Sequence, residues 1–205
     1  KGVTAIHNLP DPIIEAQIDT IFDDFDVAAV KIGMLSTSTT TALVGRKMKQ
    51  YRVAKLVVDP VMISKSGHEL LQANAINWLK QDLIPLAFLL TPNIPEAERL
   101  TGMPIRTLKE ARDAAKILHK LGCQHVLIKG GHLLERPATD LLYDGRFFRM
   151  FEGKFINTKN THGTMRDWVI FSWARIIYWH LGLCPTMKRR GSLWRGHSKP
   201  IQNPN

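Results

Sequence analysis

Acidic residues are in short supply in this chain: 18 Asp and Glu stand against 28 Lys and Arg, a net charge of +10. Cysteine is scarcer. Cys123 and Cys184 are the two in 205 residues, too few and too far apart for a disulfide framework or a CxxC metal motif, so a reducing cytoplasm is the default compartment. No stretch reaches the ~20 apolar residues that span a bilayer, which argues against a membrane partner. The start, Lys1 to Ile6, has neither the apolar run nor the cleavage pattern of a signal peptide. Internal repeats and low-complexity linkers are lacking before residue 180. The eight histidines show no ligand spacing, and His119 and Cys123, four apart at a helix end, read as structural.

What the chain does have is unevenly distributed. Residues 165–205 hold seven Lys/Arg against the single acid Asp167, a net of +6, which leaves +4 for residues 1–164. Four of the five tryptophans (Trp168, Trp173, Trp179, Trp194) lie in the same tail. Basic residues interleaved with aromatics suit single-stranded nucleic acid. The blander reading is preferred: a shifted reading frame yields Arg, Trp, Cys and Pro in place of an amphipathic pattern. The expected organisation is therefore a domain over 1–164 and a divergent basic, Trp-rich tail over 165–205. A hydrophobic content of 44% fits a globular class with a sizeable core.

Within residues 1–164, helical and strand patterns alternate. Asp11-Pro12 reads as a helix start with Asp11 as N-cap, and Ile14, Ile18, Ile21 and Phe22 continue it on one face to about Asp24. A short strand over 28–33 precedes a helix over 38–51, with Leu43, Val44 and Met48 on its inner face. The strand 55–60 is β-branched and stopped by Pro60. A helix over roughly 69–82 leads to a strand at 88–92. Thr107 to Glu110 is a capping box for a helix that buries Ala111, Ala114, Ala115, Leu118 and Leu121 and stops at Gly122. The strand 125–129 and an antiparallel pair over 140–151, turning at Asp144-Gly145, complete the pattern. Such alternation predicts an α/β fold with a mostly parallel sheet covered on both faces, and too few strands for a barrel.

In an open parallel sheet, ligands bind beyond the carboxyl ends of the strands. Polar and glycine residues gather there: Lys31 to Leu35, Asp59 to Met62, Thr91 to Glu96, and Lys129 to His132. Asp59 ends an apolar strand, where a carboxylate is costly unless paired or metal-bound; a loop or helix cap is its plainer reading. Asn93 and Glu96 are spaced either to converge on hydrated Mg2+ or to form a capping box. Gly130-Gly131 permits close backbone approach to a phosphate or base, or is a plain loop. Met34 fits either the wall of a flat ring pocket or core packing. Thr158 to Thr164 reads as an anion-binding turn opening a helix.

This ordered set resembles the phosphomethylpyrimidine (hydroxymethylpyrimidine) kinases of thiamine biosynthesis, within the ribokinase-like superfamily. The resemblance is carried by Lys31-Ile32-Gly33-Met34-Leu35, by Asp59 through His68, by Leu90 through Glu98, by Ile128 through Leu133 and by Thr158 through Thr164. It implies a three-layer α/β/α fold, incomplete here, that binds ATP and Mg2+ and phosphorylates a small-molecule pyrimidine. Met34 would border the pyrimidine. Asp59, Lys129, Gly131, His132 and Thr158 would lie at the nucleotide, and Asp59, Asn93 and Glu96 at the metal. Thr161, Gly163 and Thr164 would form the anion hole. The parent family commonly dimerises, so a homodimer is left open.

Two departures follow from the same resemblance. The family turn continues Gly-Thr-Gly-Cys, the last residue being the proposed base; here Met165 and Arg166 follow Thr164. Arg166 thus stands at the base position, and arginine cannot accept a proton. The family also has some tens of residues before the equivalent of Lys1. The expectation is an impaired copy, with a pyridoxal kinase-like enzyme and a non-catalytic ligand-binding remnant as alternatives.

Overall fold

A computed structural model of the chain describes residues 7–62, 73–130 and 139–152, all within one compact unit. Local sequence signals set most of its elements. Helix α1 (Asp11–Asp24) begins with Pro10, not Asp11, as its N-cap. Pro12 tolerates the first turn because its missing N–H would have no helical partner there. The Asp11 side chain, freed from capping, accepts a hydrogen bond from Thr40 Oγ1 at 3.0 Å and so ties α1 to the next helix. Ile14, Ile18 and Phe22 pack on the core. Ile21 does not; it is half exposed, because at 100° per residue the stripe is too narrow to hold both it and Phe22.

Strand β1 (Val30–Ile32) is followed by α2 (Ser38–Gln50), capped by Thr37 accepting from the Thr40 N–H, with Leu43, Val44 and Met48 buried as expected. After β2 (Leu56–Val58), α3 (Ala73–Trp78) opens a helical stretch that does not stay regular. It widens to a π turn over Leu79–Leu83 and tightens to a 3-10 turn over Ile84–Leu86. Pro85 explains the break, since its ring and missing N–H cannot continue an α-helix. The start expected near residue 69 lies outside the described residues.

Strand β3 (Leu89–Leu90) leads to α4 (Ile94–Thr101), which stops at Gly102 in the left-handed conformation (φ 74°) that glycine adopts without cost. Helix α5 (Leu108–His119) has the capping box expected at Thr107 and Glu110, with Ala111, Ala114, Ala115 and Leu118 buried. Strand β4 (His125–Ile128) and the hairpin β5 (Thr139–Tyr143) and β6 (Phe148–Glu152) follow. At the hairpin turn Gly145 has φ 90°, and a Cβ there would meet His119 Nε2 at 2.7 Å, so the turn requires glycine.

The sheet runs β1-β2-β3-β4-β5-β6. Its first four strands are parallel, with Val30 opposite Leu56, Val57 opposite Leu89 and Leu89 opposite His125. The last two are antiparallel additions. Leu56, Val58, Leu90, Val126 and Ile128 belong to one core cluster with Met48, Leu83, Ala97, Ala114 and Leu118 of the helices. Val57, Leu89 and Leu127, which alternate with them, are equally buried. Burial on both faces is the mark of a parallel sheet between two layers, and it puts the carboxyl ends of four strands on one edge.

Candidate functional site

At that edge the backbone links each strand end to its neighbour. The N–H of Asp59 donates to Ile32 O (2.9 Å), that of Thr91 to Val58 O (2.9 Å) and that of Lys129 to Pro92 O (2.8 Å). An isolated parallel bridge between Asn93 and Lys129 extends the frame one step past β3. Side chains from β2, the start of α4 and β4 therefore emerge together.

Lys129 is at the centre. Its Nζ lies 2.8 Å from Asp59 Oδ1 and 4.0 Å from Glu96 Oε2, and all three side chains are less than a fifth exposed. The more exposed Lys31 reaches Asp59 Oδ2 at 3.3 Å. The Thr91 hydroxyl, fully buried, makes long contacts to Val58 O and Asp59 Oδ1. Asp59 is therefore paired, as a carboxylate ending an apolar strand must be, and the capping reading is not the one the geometry adopts.

Asn93 and Glu96 do form the capping box: Asn93 Oδ1 accepts from the Glu96 N–H and Glu96 Oε2 from the Asn93 N–H, each at 2.8 Å. The same box aims the Glu96 carboxylate at Lys129. Burial pushes the Glu96 carboxyl above its ordinary value; the Lys129 charge and the Asn93 N–H pull it back, and nearby Asp59 adds to the rise. Among the described residues there is no group of three or more His, Cys, Asp and Glu placed to hold a metal. Mg2+, however, takes only one or two carboxylates and fills its octahedron with water and phosphate oxygens. Two carboxylates already sharing one ammonium group fit such an ion.

Met34 is 46% exposed and so is not part of the core. Gly131, His132, Thr158, Thr161, Gly163, Thr164 and Arg166 lie outside the described residues. Lys31 belongs to a strand-end motif in the sequence, but its pairing with Asp59 at 3.3 Å carries no spacing signal until β2 brings the two together. Asp140, at the start of the expected antiparallel pair, carries no signal of its own in the sequence; its Oδ1 accepts from the Gly130 N–H at 3.1 Å, and burial raises its pKa against the pull of that N–H and of Lys129. An open depression of about 440 Å3 beside α4, lined by Pro95, Glu98, Arg99, Met103 and Arg106, contains none of these residues. The chemistry gathers at the strand ends, not there.

A family model described as phosphomethylpyrimidine kinase matches residues 1–166. The chain is 46% identical over 164 residues to the hydroxymethylpyrimidine/phosphomethylpyrimidine kinase of Bacillus subtilis, covering 80% of this chain and 60% of that protein. The solved phosphomethylpyrimidine kinase of Clostridium difficile superposes with a TM-score of 0.68 at 41% identity, over 74% of this chain and 65% of that one. A Bacillus subtilis pyridoxal kinase in complex with ADP gives 0.70 at 36% identity, over 78% and 59%. The chain spans 34%, 60% and 64% of the length of three curated relatives that it matches.

Proposed function

The chain belongs to the phosphomethylpyrimidine kinase family and has its three-layer, ribokinase-like α/β/α fold; from that premise we propose that it binds ATP with Mg2+ at the strand-end charges and serves transfer of the γ-phosphoryl group to a hydroxymethylpyrimidine or its monophosphate, in the cytoplasm. The observation that carries the reading is the convergence of Asp59, Glu96 and Lys129. Phosphoryl transfer asks a protein for positioning and charge neutralisation more than for covalent chemistry. Lys129 supplies a fixed positive charge beside the nucleotide. Asp59 and Glu96 would hold Mg2+, which neutralises phosphate charge when bound. Asn93 fixes Glu96 through the capping box rather than by adding a third charge. Met34 would lie against the pyrimidine ring. Gly131, His132 and Thr158 at the nucleotide, and Thr161, Gly163 and Thr164 as the anion hole, complete the reading by motif.

Titration with a fluorescent ADP analogue, with and without Mg2+, tests it. Binding should be Mg2+-dependent, and Asp59→Asn should weaken it at least about tenfold, the loss expected for one charge-assisted contact. A chain with no affinity for the analogue would overturn the reading. Pyridoxal is the second substrate class, favoured by the likeness to the pyridoxal kinase. ADP release measured with each vitamer in turn separates the two.

A further inference from the structure

The backbone frame at the strand ends changes character at Gly130. Asp59, Thr91 and Lys129 each donate to a carbonyl of the parallel neighbour. Beyond Ile128, which lies opposite Leu141, the next strand is antiparallel β5, and the Gly130 N–H is taken by a side chain, Asp140 Oδ1 at 3.1 Å. A carboxylate in that half-buried place costs desolvation that an apolar strand residue would not incur. Its neighbours on β5, Leu141 and Leu142, are fully buried apolar residues, so packing does not call for an acid. What the acid supplies is a fixed acceptor at the first residue past Lys129, where glycine lets a ligand approach the backbone.

We propose that Asp140 is a positioning residue for the nucleotide: by holding the Gly130 N–H it fixes the backbone of Lys129 and Gly130, against which an adenine nucleotide seats. This rests on the nucleotide-binding reading above. The raised pKa of Asp140 accords with it, since a partly desolvated carboxyl kept for stability alone would be a poor choice.

The test is ADP affinity of the full chain by titration calorimetry, with Gly130 amide exchange followed by NMR. Asp140→Asn keeps an acceptor oxygen in the same place. Asp140→Val and Asp140→Ala remove it, and valine favours strands. Val and Ala should weaken ADP binding about tenfold and speed Gly130 exchange, while Asn stays within about threefold. Thermal midpoints of the three variants should agree, which a purely structural role would not produce. ADP binding by the Val and Ala variants equal to that of the unmodified chain would overturn the assignment to Asp140, as would an Asn variant as weak as Val. Should Val and Ala both fail to fold, the unmodified chain still decides, because a rapidly exchanging Gly130 amide overturns the proposal by itself. An unmodified chain without ADP affinity would overturn the nucleotide reading and this proposal together.

Discussion

Glu96 has two tasks that pull its proton in opposite directions. Capping and Lys129 favour the carboxylate, while burial favours the acid, and burial is the larger effect. Its folded pKa therefore lies above the ordinary 4.5, and the folded chain holds this proton more tightly than the unfolded one. By linkage, the stability from this group is fully present below the unfolded pKa and is lost as pH rises through the folded value. Glutamine cannot titrate but its amide oxygen still completes a capping box. Glu96→Gln should thus gain on the unmodified chain in urea midpoint as pH is raised from about 4 to 7. A difference between the two that stays constant with pH would show that burial does not govern Glu96. The same substitution should weaken Mg2+-dependent nucleotide binding increasingly toward pH 7 and little near pH 4, where the protonated carboxyl is as neutral as the amide.

At the scale of elements, α5 and α1 show two ways of holding a helix. The α5 cap is local: Thr107 Oγ1 accepts from the Glu110 N–H at 3.2 Å, and Glu110 accepts from the N–H groups of Arg106 and Thr107, which hold its carboxyl below the usual range. Thr107→Ala should cost about 1 kcal/mol in urea unfolding, and ADP affinity should not change. Helix α1 has no fully buried residue. It is held by its apolar stripe and by Lys47 of α2, whose buried ammonium lies 2.7 Å from Glu15 and 2.8 Å from Asp19. Asp19 also accepts from the Tyr51 hydroxyl, which pushes that phenol up to about 12. Lys47→Met should speed amide exchange through Asp11–Asp24 while leaving β2 to β4 protected, since local opening follows the weakest contacts. Uniform loss of protection would mean that α1 is not a separate unit.

These two helices also mark what could be read from the chain. A capping box is written within four residues, so Thr107 and Glu110 announce α5, and Asn93 and Glu96 announce the cap of α4. Lys47 reads as one more helix lysine, because its burial depends on a helix 28 residues away. Asp140, and the pairing of Lys31 with Asp59, are hidden for the same reason: the partners meet only through sheet pairing. The break in α3 and the exposure of Ile21 depend on exact helical phase, which a pattern of apolar residues fixes only coarsely.

For the whole molecule the decisive question is whether nucleotide binding and phosphoryl transfer are still coupled. The charges proposed to hold ATP and Mg2+ converge on Lys129, whose Nζ lies 2.8 Å from Asp59 and 4.0 Å from Glu96. In the proposed reading Arg166 stands at the base position of the family motif, and an arginine, permanently protonated, takes up no proton from a substrate hydroxyl. Loss of a general base costs about 10²–10⁴-fold in rate, while binding energy from the phosphates is untouched. The chain should therefore bind ADP and ATP yet release ADP very slowly with hydroxymethylpyrimidine or its monophosphate. Replacing Met165 by Gly and Arg166 by Cys together should raise turnover by at least about a hundredfold with little change in nucleotide affinity. Fast turnover by the unmodified chain would contradict this, because it requires a proton acceptor other than residue 166. Unchanged turnover in the double variant, with nucleotide still bound, would place the defect in pyrimidine positioning, where misplacement by about 1 Å can cost as much as the missing base.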